Sequence, residues 1–191
     1  MATARAGTVI RLADGRYQNR KGDRWQLAAS GTANHPITLE GGRGAILQSD
    51  STKGDYGLWL TANYWHVTGI TVRNATKGIV LDGSQHSIID NVEVYDTGEE
   101  GVHFRSCSSD GVLQNSSIHD TGLQRPQCGA GVYVGSAQSN WKKYGCTDGQ
   151  DKSERTAIRS NLFRHIAAEG ADLKEGTDPG LLADNTFTDT G

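Results

Sequence analysis

Short stretches that alternate apolar and polar residues recur along the whole chain. Five of them begin with Gly, followed by an apolar, a variable and an apolar residue. Such alternation over a few residues is typical of β-strands that bury one face. These five motifs are found at 57–60, 78–81, 101–104, 131–134 and 170–173, with Gly spacings of 21, 23, 30 and 39 residues.

A second mark recurs in the repeats. It lies after the Gly motif, between two β-like stretches. It is an Asn or a Gly, residue types that accept left-handed backbone angles at low cost. The marks are Gly69, Asn91, Asn115, Asn161 and Asn185. Three short strands per repeat, each ended by a turn, predict an all-β, right-handed parallel β-helix (a β-solenoid) of about six coils. Val94 and Ile118 lie three residues after Asn but Phe163 and Phe187 two, which predicts a local bulge or a one-residue shift.

The repeats extend over the chain without a composition break, so we expect a single β-helix domain over 1–191. Residues 1–40 are expected to form an N-terminal cap with the first strands, and 41–191 the coils, with insertions at about 122–130 and 136–154. Long insertions on a solenoid usually form functional loops. No cap pattern precedes the end at Gly191, which is expected of a fragment of a longer solenoid.

Composition supports this narrow core and excludes several classes of protein. Gly accounts for 25 of 191 residues and hydrophobic residues for only 35%, and stacked coils explain both. The net charge of -3 argues against nucleic-acid binding, which normally needs a basic surface. Apolar runs are far shorter than the roughly 20 residues that cross a bilayer, so no membrane contact is expected, and we expect a monomer.

Three cysteines are too few for a disulfide scaffold, and their spacing is not that of a metal site. Two interpretations stay open for Cys128 and Cys146: inert packing, or a disulfide that pins a long loop in an oxidising compartment. Under the second interpretation, Cys107 is the unpaired cysteine.

Outward residues of the Gly-led strands predict a surface map, because equivalent residues stack about 4.8 Å apart from coil to coil. One outward column contains Trp59, Val80, His103, Tyr133 and Asp172, and the next contains Thr61, Asp82, Arg105, Gly135 and Lys174. Gly135 is expected to leave a notch between two cations, Arg105 and Lys174, where an anionic sugar fits. Acidic residues flank the columns at Glu99, Glu100, Glu169 and Glu175.

Each of these charges taken singly is explained by a solvated surface ion pair. Together they concentrate polar side chains over three coils beside the longest insertion, and such convergence favours a binding site. We therefore expect substrate-binding roles for Gly135 and for Trp59, Trp141, Lys142 and Lys143.

The stretch 169–177, followed by 184–187, resembles secreted right-handed β-helix proteins of the pectate lyase superfamily, of the chondroitinase B and alginate lyase type. The resemblance implies that Lys174 is a catalytic base and Glu169 a calcium ligand. Ala167 stands where the family has a second glutamate. The family's partner arginine falls beyond Gly191, and we infer that Arg105 substitutes for it.

These residues predict β-elimination on an acidic (uronate) polysaccharide. Lys174 is expected to remove the proton next to the carboxylate, and Tyr133 or His103 to protonate the leaving oxygen. Arg105 or Ca²⁺ neutralises the substrate carboxylate. The expected Ca²⁺ ligands are Glu169, Asp172 and Glu100. A secreted, extracellular location is expected from the resemblance, and this expectation places the signal peptide outside residues 1–191.

Two other functions stay open on the same fold. A glycoside hydrolase needs a carboxylate pair about 5 to 9.5 Å apart, for which Glu100, Asp82 and Asp172 are candidates. A non-catalytic glycan-binding protein, or a truncated lyase that keeps half a site, is the third interpretation.

Overall fold

The computed structural model describes residues 4–20, 22–178 and 180–191, which form twenty β-strands, β1 to β20 in chain order. The first sheet contains β1 (Val9–Leu12), β4 (Ile37–Gly41), β7 (Trp65–Thr68), β10 (Ile88–Asp90), β13 (Val112–Gln114), β16 (Ala157–Arg159) and β19 (Leu181–Ala183). The second contains β2 (Gly15–Gln18), β5 (Ala45–Gln48), β8 (Thr71–Ala75), β11 (Glu93–Thr97), β14 (Ser117–His119), β17 (Leu162–Ile166) and β20 (Thr186–Thr190). The third, called the site sheet below, contains β3 (Gln26–Leu27), β6 (Leu58–Leu60), β9 (Ile79–Asp82), β12 (Val102–Arg105), β15 (Val132–Val134) and β18 (Ala171–Leu173).

Each strand pairs in parallel with the strand three places later in the chain, so three consecutive strands make one coil of a parallel β-helix. The described residues form six such coils and the first two strands of another. The predicted fold is confirmed. The segment expected to form an N-terminal cap contributes β1, β2 and β3, which is the first coil, while its residues 1–3 and 21 lie outside the described residues.

The glycine that directly precedes β6, β9, β12, β15 and β18 of the site sheet is explained by close packing between coils. A Cβ on Gly78 would lie 2.4 Å from the carbonyl oxygen of Gly101 and 2.3 Å from Cγ1 of Val94. Gly101 has the same neighbours one coil further on, at 2.7 Å from the oxygen of Gly131 and 2.5 Å from Cγ2 of Ile118. Only glycine leaves room for this stacking.

Of the two predicted explanations for the second sheet, the one-residue shift is confirmed and a bulge is absent at the residues concerned. Val94 pairs with Ile118, Ile118 with Phe163 and Phe163 with Phe187, in unbroken register. The left-handed turn residues at Asn91 and Asn115 are matched in later coils by Ser160 and Asp184. The asparagine mark therefore occupies two adjacent positions of the turn, and this accounts for the one-residue offset in the sequence.

Asn161, one residue after that turn position, has a separate structural role. It is buried, its Oδ1 accepts a hydrogen bond from the Ser116 amide at 3.0 Å, and its Nδ2 donates to the Leu113 carbonyl at 2.9 Å. Asn185 provides the same acceptor to the Asn161 amide at 3.0 Å. The side chains tie neighbouring coils together at the corner where the ladder turns.

Inward residues of the three sheets form the core, one column for each strand position. The inward site-sheet residues Leu58, Ile79, Val102 and Val132 are fully buried, and Ala171 of β18 is partly buried against the core. Inward residues of the last strands are half exposed because no later strand covers them; these are Leu173, Leu182 and Phe187.

The two insertions contain the helical segments of the described chain. The first includes a 3₁₀ turn at Pro126–Cys128, and the second a 3₁₀ turn at Gln138–Asn140 followed by α1 (Trp141–Tyr144). A disulfide joins Cys107 to Cys146, and Cys128 is the free cysteine. The predicted Cys128–Cys146 bridge is therefore wrong: Cys146 in the second insertion meets the cysteine just after β12.

Candidate active site

The two insertions and the outer face of the site sheet enclose a cleft of about 460 Å³. Its lining residues come from the outward columns, from the residues just before the Gly motifs and from both insertions. They are Tyr56, Lys77, Glu99, Glu100, His103, Arg105, Arg125, Gln127, Cys128, Tyr133, Ser136, Asn140, Lys143, Tyr144, Glu169, Asp172 and Lys174.

Lys174 and Tyr133 stand beside each other on neighbouring coils. Lys174 Nζ lies 5.2 Å from the centroid of the Tyr133 ring and 2.8 Å from Oδ2 of Asp172. The hydrogen bond with Asp172 raises the pKa of Lys174, although partial burial opposes the shift. The lysine side chain therefore carries its charge at neutral pH.

Tyr133 is half-buried, and its ring packs edge-on against His103 with the centroids 4.5 Å apart. Burial raises the pKa of the Tyr133 hydroxyl to about 12, while the positive charge of Lys174 acts in the opposite direction. The hydroxyl is a weak acid at rest and a strong base once it is ionised.

His103 lies beneath Tyr133 and is only 4% exposed. Its Nε2 lies 2.9 Å from the Gly135 carbonyl oxygen, which requires an N–H at Nε2. Its Nδ1 has no hydrogen-bond partner in the part of the chain that the structure describes, and it lies 3.9 Å from Oε1 of Glu100. Burial, and then the charges of Lys77 and Arg105, hold the pKa of His103 well below its ordinary value, so the ring is neutral.

Arg105 is held on three sides at the end of β12. Its Nη2 donates to Oδ2 of Asp82 at 2.9 Å and to the Tyr56 hydroxyl at 3.0 Å, and the Tyr144 ring centroid lies 4.2 Å from Cζ. Burial opposes its charge, but the bond to Asp82 raises its pKa. Nη1 has no hydrogen-bond partner among the described residues and is the nitrogen left for a ligand.

Lys77 neutralises a pair of glutamates on the next coil. Its Nζ lies 3.0 Å from Oε2 of Glu99 and forms an ion pair with Glu100. Burial alone would lower the pKa of Lys77, but the carboxylates of Glu100 and Glu99 raise it above the ordinary value. Arg125 of the first insertion adds a second cation 2.8 Å from Glu99 Oε1.

The predicted calcium ligands do not meet in this structure. Glu100 is paired with Lys77 and Asp172 with Lys174. The described part of the chain contains no group of three or more His, Cys, Asp or Glu side chains arranged to hold a metal ion. No step below is routed through a metal, and calcium binding by Glu169, Asp172 and Glu100 stays a prediction.

The structure brings together the predicted catalytic residues Lys174, Tyr133, His103 and Arg105, and it separates the predicted binding residues. Lys143 lines the cleft, whereas Lys142, Trp141 and Trp59 do not. The notch predicted at Gly135 is not open, because a Cβ there would lie 2.5 Å from Cγ2 of Thr177.

Two lining residues that the sequence reasoning missed, Tyr56 and Lys77, had a readable signal. Both immediately precede a repeat Gly, as Glu100 and Glu169 do, and the backbone ladder stacks these positions in one column. Tyr144 had no such signal, since it reaches Arg105 only through the fold of the second insertion.

The first 146 residues match the family model described as "Pel9A-like, right handed beta helix region". None of the curated proteins matches the sequence. The crystal structure of alginate lyase from Paenibacillus sp. str. FPU-7 aligns with 100% of this chain at 38% identity and a TM-score of 0.92. The chain spans 62% of the length of that lyase.

More distant structures share the fold alone. Pectate lyase Pel9A aligns with 90% of the chain and 43% of its own length at 19% identity, with a TM-score of 0.72. The catalytic unit of an α-1,3-glucanase from Streptomyces thermodiastaticus strain HF3-3 aligns with 97% of the chain and 35% of its own, at 14% identity and a TM-score of 0.64. No helix of the described residues is long and apolar enough to cross a membrane.

The match over most of the sequence agrees with the stacked coils and parallel sheets of the structure. The chain belongs to the Pel9A-like right-handed β-helix family, within the pectate lyase superfamily.

Proposed function

We propose that this protein is a polysaccharide lyase that cleaves an acidic, uronate-containing polymer by β-elimination. The observation that carries the proposal is the pairing of Lys174 and Tyr133 on neighbouring coils, at the wall of a cleft that contains further cations. Identity of 38% to an alginate lyase over the whole chain supports it, and makes alginate the first substrate to test.

Lys174 and Tyr133 divide the two proton transfers between them. The sequence made Lys174 the base, but its ion pair with Asp172 keeps it protonated, and a protonated amine is an acid. Tyr133 acts as the phenolate, which forms when its hydroxyl loses its proton to solvent and which the neighbouring positive charge of Lys174 stabilises. The phenolate removes the proton next to the substrate carboxylate. The electron pair of that broken carbon–hydrogen bond forms the new carbon–carbon double bond, the glycosidic carbon–oxygen bond breaks, and Lys174 protonates the leaving oxygen.

The developing charge on the substrate carboxylate needs a cation, and Arg105 and Lys143 supply it. Nη1 of Arg105 and the ammonium of Lys143 both belong to residues of the cleft wall. His103 is too buried to reach a sugar, so we assign it to supporting the Tyr133 ring rather than to the second proton transfer. Fixed cations act most strongly where water is excluded.

Trp59 and Trp141 have different roles in this proposal. Trp59 continues the outward column beyond Val80, and Cζ of Arg24 lies 4.9 Å from its ring centroid. It therefore extends the binding face for a longer polysaccharide. Trp141 donates from Nε1 to the Ser136 carbonyl at 2.9 Å and fixes the insertion. Gly135 and Lys142 have no direct role.

Secretion is part of the same proposal. The Cys107–Cys146 disulfide supports an oxidising compartment, because disulfides persist mainly outside the reducing cytosol. An extracellular enzyme also meets polymers that are too large to enter a cell.

The hydrolase alternative has less support from the site. Asp82 is bonded to Arg105, which lowers its pKa in spite of burial, and Glu100 and Asp172 are held by lysines. A glycosidase needs one carboxyl group that keeps its proton. The non-catalytic alternative predicts binding without turnover.

A panel of uronate polymers, alginate, pectate and glycosaminoglycans, separates the three functions. A lyase leaves a conjugated double bond that absorbs in the ultraviolet, a hydrolase releases reducing ends without it, and a binding protein does neither. The assay is run with and without a chelator, and loss of turnover that Ca²⁺ restores supports the predicted metal. Absence of double-bond formation on every polymer contradicts the proposed lyase.

A further inference from the structure

Asp151, near the end of the second insertion, is a fully buried carboxylate without a cation partner among the described residues. Five hydrogen bonds satisfy it. Oδ1 accepts from the Cys107 amide at 2.9 Å and from the hydroxyl and amide of Ser153 at 2.8 and 3.3 Å. Oδ2 accepts from the Ser106 amide at 3.0 Å and the Ser136 hydroxyl at 2.9 Å.

Two of these donors are consecutive backbone amides in an unusual conformation. Ser106 and Cys107 both have positive φ, 54° and 66°. Successive N–H groups turned to one side in this way form a concave anion-binding nest. The nest directly follows Arg105, so the carboxylate of Asp151 holds the backbone that ends at the cleft arginine.

The remaining donors come from the two ends of the same insertion. Ser136 begins it and Ser153 closes it, so Asp151 joins both ends to the β12 terminus. The Cys107–Cys146 disulfide fixes the middle of the insertion to the same place. Between these anchors lies α1, with Tyr144 on the Arg105 guanidinium and Lys143 on the cleft wall.

We propose that Asp151 is a positioning residue: its carboxylate latches the second insertion onto the nest after Arg105, and this sets the wall of the cleft that binds the polymer. The binding role rests on the proposed function, whereas the latch itself does not. An asparagine cannot replace the carboxylate, because its NH₂ group faces amide or hydroxyl donors and accepts from none of them.

Asp151→Asn tests the latch without reference to activity. A protease cleaves an opened segment faster than a folded one. Losing a hydrogen bond to a buried charge costs about 1.5–3 kcal/mol, so we expect trypsin to cut after the exposed Lys142 and Lys143 about tenfold faster or more. Asp148→Asn is the matched control, since it removes an exposed aspartate of the same insertion that pairs with Lys152. The control is expected to be cut at the wild-type rate.

The second readout is a split between kcat and KM. With a uronate polymer that the wild-type protein cleaves, Asp151→Asn is expected to raise KM about tenfold and to lower kcat by a smaller factor. Arg105 and Lys143 hold the substrate carboxylate before and during the reaction, whereas Lys174 and Tyr133, which transfer the protons, are not held by Asp151. A variant that is merely less stable loses active enzyme at unchanged KM. Ser136→Ala keeps the Asp151 carboxylate and removes one of its hydrogen-bond donors. It is expected to raise KM about threefold, and it replaces Asp151→Asn as the test variant if that protein does not fold.

The latch is overturned if trypsin cuts at Lys142 and Lys143 no faster in Asp151→Asn and Ser136→Ala than in the wild type. Faster cleavage with unchanged KM overturns its role in binding. If the wild-type protein acts on no uronate polymer, the proposed function fails, and the proteolysis still decides whether Asp151 holds the insertion.

Discussion

Nζ of Lys174 lies 2.8 Å from Oδ2 of Asp172, two residues earlier on the same outward face of the site sheet. This carboxylate raises the pKa of Lys174. The ammonium form is therefore kept to a higher pH than in an ordinary lysine. Because the Tyr133 phenolate, whose pKa is about 12, must form as well, the rate rises with pH until pH passes the raised pKa of Lys174 and then levels off.

Asp172→Asn removes the cause of the shift. The pKa of Lys174 falls, and we expect the acidic limb of the kcat/KM profile, where the rate stops rising with pH, to move to lower pH. Glu175→Gln is the matched control, because Glu175 is next to Lys174 in sequence but accepts from the Gln138 amide at 2.7 Å. A limb that stays in place in Asp172→Asn contradicts the acid role of Lys174.

Lys174→Ala is expected to lower kcat by about 10²- to 10⁴-fold, the usual contribution of a positioned acid or base. The rate of double-bond formation measures it, with circular dichroism to confirm folding. Lys142→Ala, an exposed lysine of α1 outside the cleft, is expected to retain the wild-type rate within about twofold. Unsaturated product released by Lys174→Ala at the wild-type rate would remove this residue from the mechanism.

Tyr133→Phe keeps the ring that packs on His103 and deletes only the hydroxyl. We expect a loss of kcat of about 10²-fold or more with KM nearly unchanged. The free energy of unfolding, measured by thermal unfolding, is expected to change by no more than the contribution of one ordinary hydrogen bond, about 1 kcal/mol. Normal turnover by Tyr133→Phe would show that another group is the base.

The disulfide is expected to contribute to stability as well as to the shape of the cleft. It joins cysteines 39 residues apart, for which loop-closure entropy predicts about 4 kcal/mol, less any structure that the reduced chain retains. The double variant Cys107→Ser with Cys146→Ser should therefore unfold at lower denaturant concentration. Cys128→Ser, which removes the free thiol, is the control and is expected to unfold as the wild type does.

Gly78→Ala tests the close stacking of coils. The added Cβ meets backbone, the Gly101 oxygen at 2.4 Å, which cannot rotate away. We expect destabilisation of about 1–3 kcal/mol, as for other overpacked cores, measured by denaturant unfolding. Gly42→Ala is the control, since the nearest atom to its Cβ is the side-chain oxygen of Asp14 at 3.2 Å, and its effect should be within about 0.5 kcal/mol.

Much of the candidate site could be predicted because coil stacking turns sequence spacing into distance. Residues at the same place after the repeat Gly become neighbours, as His103 and Tyr133 are in the strand register. The same rule applied one residue before the Gly would have found Tyr56 and Lys77. The stacking rule failed at Asn161 and Asn185. These asparagines form side-chain hydrogen bonds between coils, and each lies one residue after the left-handed turn residue, Ser160 or Asp184.

The sequence by itself determined the strands, their order, the narrow core and the outward columns, because these follow from local alternation and a regular repeat. Only the tertiary structure decided the contacts that the insertions make with the coils: Cys146 with Cys107, Tyr144 with Arg105, and Arg125 with Glu99. These pairs depend on the path of the insertions and on which side chains share one desolvated space. No repeat encodes that, since an insertion has no counterpart in the neighbouring coil to set its register.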